Sequence, residues 1–177
     1  MRTRVVRTAR KNRDELSDDI VGRLARRHST AVVLFHHAVA ERLGLGPTDH
    51  KCLDLLRERG PMSGSDLAGI TGLTSGAITG VVARLERAGY LRREPDPRDG
   101  RKQILHLALK RSPIHDVIEP LRKDVAVVLK NFDPHQLTAI AEFLTRTTDL
   151  IYLHAALLRA QALTATIGVA QEWSIQQ

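Results

Sequence analysis

From residue 14 onward the apolar positions Leu16, Ile20, Leu24, Ala31, Phe35, Val39 and Leu43 recur at intervals of four and seven, one stripe along a helix. The pattern predicts a helix of about thirty residues, ~45 Å long at 1.5 Å per residue. A rod of that length outruns one small domain, so part of its stripe is expected to meet a second subunit. Gly44, Gly46 and Pro47 stop it.

Three short helices are predicted next. Thr48 caps one that ends at Arg59, with Cys52, Leu53, Leu55 and Leu56 facing the core and Gly60-Pro61 as the break. Ser63 followed by Asp66 has the form of a capping box with Asp in place of Glu, and opens a helix whose apolar side is Leu67, Ala68 and Ile70. Gly72 turns the chain. Thr74 or Ser75 caps the third helix, with Ile78, Val81, Val82 and Leu85 inward and Gly89 suited to a left-handed C-terminal cap. Short helix, turn and capped helix is the helix-turn-helix order.

Strand-like runs at residues 90–94 and 103–107 flank Pro95-Asp96-Pro97-Arg98-Asp99-Gly100, which reads as a β-hairpin with a charged tip. A three-helix unit ending in a hairpin is a winged helix. Ser112-Pro113 and Asp133-Pro134 each place a capping side chain before a proline at the first helical position, starting two more helices. The first is expected to kink at Pro120. The second carries Leu137, Ile140, Leu144, Ile151, Ala155 and Leu158 at helical spacing, and Trp173 suggests that the last segment docks. The fold class is therefore mostly α with a small β-hairpin.

Charge sharpens this picture. The 177 residues carry a formal charge of +7, and the excess is uneven. Residues 1–13 hold six bases and no acid, and residues 48–111 hold twelve bases against eight acids. Residues 14–47 and 112–177 are slightly acidic. A polyanionic partner fits such a distribution. Aromatic residues are only 3% of the chain, which counts against recognition of single strands by base stacking and leaves duplex DNA as the best candidate. The basic arm is either a plain disordered tail or a segment that tracks phosphates.

The chemistry of an enzyme is missing. Gly44-Leu45-Gly46 begins like a dinucleotide loop but lacks its third glycine and a preceding strand. No phosphate-binding lysine loop, nucleophile elbow or paired cysteines occur, so no enzyme activity and no cofactor are expected. Cys52 falls on an apolar face and reads as a small buried hydrophobe. His36, His37 and His50 form the one group of ligand type, but neighbouring residues on a helix face apart, and no metal is expected there. No apolar run spans a bilayer, so a cytoplasmic protein without a membrane partner is expected.

The element order and three motifs resemble the MarR family of bacterial transcription regulators. The motifs are Leu67-Ala68, the run Arg84-Leu85-Glu86-Arg87-Ala88-Gly89-Tyr90-Leu91, and Asp96-Pro97-Arg98-Asp99-Gly100-Arg101-Lys102. By element order the resemblance covers residues 14–163. It implies a homodimer paired through a helix at 14–47 and helices at 112–163, with a winged helix-turn-helix lobe at 48–111. A basic flexible arm at 1–13 and an extension at 164–177 complete the division. It also implies control of nearby genes as a repressor or activator, often relieved by a small aromatic ligand.

On this reading the bases of duplex DNA are met by the start of the recognition helix, through Thr74, Ser75, Gly76, Ala77, Thr79 and Gly80, together with Ser63, Ser65 and Arg84. These recognition-helix side chains are small, so discrimination is expected to lean on DNA shape, water and the wings. Arg98, Arg101 and Lys102 supply the wing, which Asp99 supports by pairing with Arg101 or Arg84. His36, Arg42 and His50 are candidates for a small anionic or aromatic effector. The alternative is a winged-helix adaptor module that binds proteins and touches DNA only non-specifically.

Overall fold

A computed structural model of the chain describes residues 12–108 and 113–175. The chain forms two units, residues 1–50 and 51–177, and the division falls inside one helix. The basic arm up to residue 11 and the expected cap Ser112 lie outside the described residues.

In the first unit a helical path runs from Arg13 to Arg42. It consists of α1 (Arg13–Asp19), a π-helical turn (Ile20–Leu24) and α2 (Ala25–Arg42). Asn12 and Glu15 close a reciprocal capping box at its start. The π turn is a departure from the uniform helix expected. Apolar residues spaced strictly by four drift ~40° per step around an α-helix, and a wider turn slows that drift across Leu16, Ile20 and Leu24. Gly44 ends the path with φ of 66°, a left-handed value that glycine adopts without steric cost. Along the stripe Leu16, Leu24 and Ala31 are exposed, Ile20, Phe35 and Leu43 half-buried and Val39 buried; beside it Val32, Val33 and Leu34 are exposed and Ala40 is buried.

α3 spans Pro47–Arg59. It starts two residues earlier than expected, because Pro47 takes the first helical position and the Gly46 carbonyl accepts the first intrahelical bond, from His50 N–H. Thr48 is thus inside the helix rather than its cap.

In the second unit, β1 (Met62–Ser63), α4 (Gly64–Thr71), α5 (Ser75–Arg87), β2 (Leu91–Pro95) and β3 (Gln103–Leu107) form the lobe. β2 and β3 pair antiparallel from Leu91↔Leu107 to Pro95↔Gln103, the expected hairpin. β1 adds a third strand that the pattern did not predict, giving the order β1-β3-β2. Pro95 is tolerated because β2 is an edge strand. The core is built from Cys52, Leu53 and Leu56 of α3, Leu67 of α4, Ile78, Val81, Val82 and Leu85 of α5, Leu91 and Leu105 of the sheet, and Ile114. Each such side chain contributes about 1.5–3 kcal/mol on burial.

α6 (Pro113–Leu129) continues as helix through Pro120, and α7 runs from Pro134 to Ile175. Asp133 and Gln136 form a reciprocal capping box at its start, with Asp133 N–H donating to Gln136 Oε1 and Gln136 N–H to Asp133 Oδ1, both at 2.9 Å. Residues 164–175 continue α7 as helix, and the side chain of Trp173 lies outside the described residues.

Candidate nucleic-acid interface

The capping box at the start of α4 is the first fixed point. Ser63 Oγ accepts from Asp66 N–H at 3.1 Å, and Ser63 N–H donates to Asp66 Oδ2 at 3.1 Å. The Ser63 hydroxyl also donates to Asp66 Oδ2 at 2.6 Å. These bonds, with the hydroxyl contributing most, hold the Asp66 carboxyl below its ordinary value, and the charge of Lys102 adds to the effect against partial desolvation. Lys102, at the base of the wing, is thereby linked electrostatically to the start of α4. Ser63 is buried and bonded to the cap, whereas Ser65 is exposed.

Between the two helices, Gly72 takes φ of 74° and its N–H donates to Ala68 C=O. Thr74, not Ser75, caps α5, its Oγ1 accepting from Ala77 N–H at 3.2 Å. Thr79 Oγ1 donates back to Ser75 C=O at 2.9 Å. With Ile78, Val81, Val82 and Leu85 turned inward, Thr74, Ser75, Gly76, Ala77 and Thr79 are exposed at the start of the helix. The first turn holds no acidic residue, so the positive end of the helix dipole is not offset there. Gly80 is half-buried, and a Cβ added to it would sit 3.4 Å from Arg84 Nη1, so the guanidinium of Arg84 reaches back along the helix.

α5 ends in a Schellman motif, with Tyr90 N–H donating to Leu85 C=O and Gly89 N–H to Glu86 C=O. Gly89 has φ of 76°, as expected of the left-handed position. Arg93 Nε donates to Glu86 Oε2 at 3.1 Å and ties β2 back to α5, a contact that sequence reasoning missed because the two lie on different elements.

The wing tip is a compact set of turns. Asp96 N–H donates to Lys102 C=O, Lys102 N–H to Asp99 C=O, and Arg98 N–H to Asp96 Oδ1. Of the two expected partners, Asp99 takes Arg101, accepting from its backbone N–H at 3.2 Å and from its Nε at 3.3 Å. The Arg101 side chain is 93% exposed, and so open an ion pair is worth about 0–1 kcal/mol. Its guanidinium can exchange Asp99 for a phosphate at little cost. Arg98, Arg101 and Lys102 are all exposed.

In the first unit His36 and His50 come together, Nδ1 to Nε2 at 3.0 Å, with rings tilted and 5.1 Å apart. His50 is buried, His36 half-buried and His37 exposed, so the neighbouring histidines do face apart. Arg42 is exposed and, six residues beyond His36, roughly 120° around the helix from it. The two imidazoles can share a proton, and their nitrogens are of the type that holds a metal ion. Cys52 is buried in the core as expected.

The MarR family profile matches residues 45–102. The HTH-type transcriptional regulator YcgE of Bacillus subtilis is 38% identical over 145 residues, covering 81% of this chain and 94% of that protein. YkoM of the same organism is 40% identical over 78 residues, 44% of this chain and 51% of the relative. Among solved structures, a MarR family protein from Bacillus stearothermophilus has a TM-score of 0.59 at 22% identity, covering 77% of this chain and 96% of that one. The regulator Tm0710 from Thermotoga maritima has a TM-score of 0.56 at 24% identity, with the same coverage of both chains. These two structures share the fold.

Proposed function

Because the chain belongs to the MarR family of DNA-binding transcriptional regulators, we propose that it is a sequence-specific, ligand-responsive repressor that acts as a homodimer on a pseudo-palindromic operator. The observation that carries this reading is the pairing, in one lobe, of a capped recognition helix with an exposed, small-residue N-terminal face and a wing whose three cations are open to solvent. Thr74, Ser75, Gly76, Ala77 and Thr79 meet base edges in the major groove. Small side chains there let the helix backbone approach closely, and hydroxyls and methyls read bases directly or through water. Arg98, Arg101 and Lys102 meet phosphates or the minor groove. Arg84 and Ser65 flank this surface, Gly80 gives Arg84 room, and Ser63 serves it from below through the cap.

The exposed apolar residues of α2, α6 and α7 support a second copy as partner, since an uncovered apolar surface of that extent is unusual on a lone soluble chain. Two recognition helices about one DNA turn apart, ~34 Å, would read two half-sites. The role is binding rather than catalysis, in the cytoplasm where the DNA is. An aromatic or anionic effector acts near His36, with His50 behind it and Arg42 as a more distant anion partner.

Competition gel shifts test both parts. Tight binding to the duplex upstream of the chain's own gene, kept over excess random duplex and weakened by a benzoate-type acid, is the expected result. Equal binding to both duplexes contradicts the repressor and favours the adaptor module. Sequence-specific binding that no aromatic acid alters contradicts the effector assignment alone.

A further inference from the structure

Within the second unit, α7 is fastened at two points, to the end of α3 and to the end of α4. The Tyr152 hydroxyl donates to Glu58 Oε2 at 3.0 Å near the end of α3, and the Arg59 guanidinium lies over its ring, 4.5 Å from the centroid. Partial burial and the neighbouring Glu58 raise the pKa of the Tyr152 phenol, so it remains a donor. Two helical turns further on, Arg159 Nη1 donates to Ile70 C=O at 2.6 Å and reaches Gly69 C=O at 3.4 Å. Both carbonyls belong to the last turn of α4, where the helix supplies no partner of its own and its dipole favours a cation.

Gly72 completes the arrangement. It needs glycine for its left-handed backbone, and a Cβ there would also meet Arg159 Cδ at 2.6 Å. The turn that sets the angle between α4 and the recognition helix is thus shaped around a side chain from α7. The same helix exposes Leu150, Ile151, Leu153, Leu157 and Leu158.

We propose that Arg159 is a positioning residue for DNA recognition. It clamps the turn between α4 and α5, so that a displacement of α7, the helix that presents apolar surface to a second copy, is passed to the recognition helix. The proposal rests on the DNA-binding reading above for its consequence, though not for the clamp itself.

The test uses the full chain, the duplex upstream of its own gene, a random duplex and a salt titration. In Arg159→Ala, affinity for the upstream duplex is expected to fall about tenfold while affinity for random duplex stays put. The slope of log affinity against log salt is expected not to change, because Arg159 neutralises no phosphate. Arg159→Lys, which still donates to carbonyls, is expected to recover most of the loss. Equal losses on both duplexes with the slope reduced by about one would make Arg159 a phosphate contact and overturn the proposal.

Hydrogen exchange without DNA separates this inference from the DNA reading. Backbone amides of residues 70–75 are expected to exchange faster in Arg159→Ala, and Gly72→Ala is expected to produce a smaller further increase there than it does in the wild-type chain. Unchanged exchange in Arg159→Ala overturns the clamp. A wild-type chain that does not distinguish the two duplexes overturns only the regulator reading, and the exchange result then decides the clamp.

Discussion

Asp66 ties together the local structure and the charge of the lobe. Its carboxylate closes the cap on α4 and is held below the ordinary value of 3.8 by the Ser63 hydroxyl, the Ser63 N–H and Lys102. A lowered folded-state pKa means that its contribution is fully present above the unfolded value and is lost as pH falls through the folded one. Asp66→Asn is therefore expected to lower the unfolding free energy by ~1 kcal/mol near neutral pH, by loss of a charged cap. The gap between wild type and variant should hold steady down to the ordinary carboxylate range and close below it, as denaturant titrations at stepped pH would show. A gap independent of pH would assign the stabilisation to packing instead. This cap was legible because its two members are three residues apart. Thr74 and Ser75 could not be separated by sequence, since both are good caps and only the geometry of Ala77 N–H chooses Thr74. The Asp66–Lys102 link was not legible, because it depends on β1 pairing with β3, which sets Ser63 opposite Ile104.

Among the elements, the helices of the lobe were readable from short-range signals: caps at Ser63 and Thr74, glycine stops at Gly72 and Gly89, and a four-residue apolar face on α5. β1 was not, because two residues carry no period and their partners, Leu105 and Ile104, are distant in sequence. The π turn in the first helical path was equally hidden, since it changes the phase of the stripe rather than its composition. The wing was read from its proline and Asp-Gly turn, and its chemistry gives the next expectation. Arg98→Ala should weaken binding to specific and random duplex alike and reduce the salt slope by about one unit. A salt titration that returns the wild-type slope and affinity would remove Arg98 from the interface. The contrast with Arg159→Ala, which should keep the slope, separates a phosphate contact from a positioning residue.

For the whole molecule, the apolar surface on α7 is the dominant unexplained feature of a single chain. Leu158 is 65% exposed and Ile151 69%, on a helix too long for its own lobe to cover. Leu158→Asp is expected to leave the lobe folded and to shift the sedimentation equilibrium from dimer to monomer. A variant that remains a dimer would place the interface elsewhere. Periodicity revealed this stripe, but a stripe states only that something covers it. A second copy is the occupant proposed for it. The proposed effector site was marked least by the sequence, because neither His36 nor His50 carries a ligand-specific spacing.

The most direct test is a hydroxyl-radical footprint of the wild-type chain on the duplex upstream of its own gene. The account predicts two protected patches related by a dyad, with centres about 10 base pairs, ~34 Å, apart, retained in excess random duplex. Uniform protection without a dyad, or protection that random duplex removes, would contradict it.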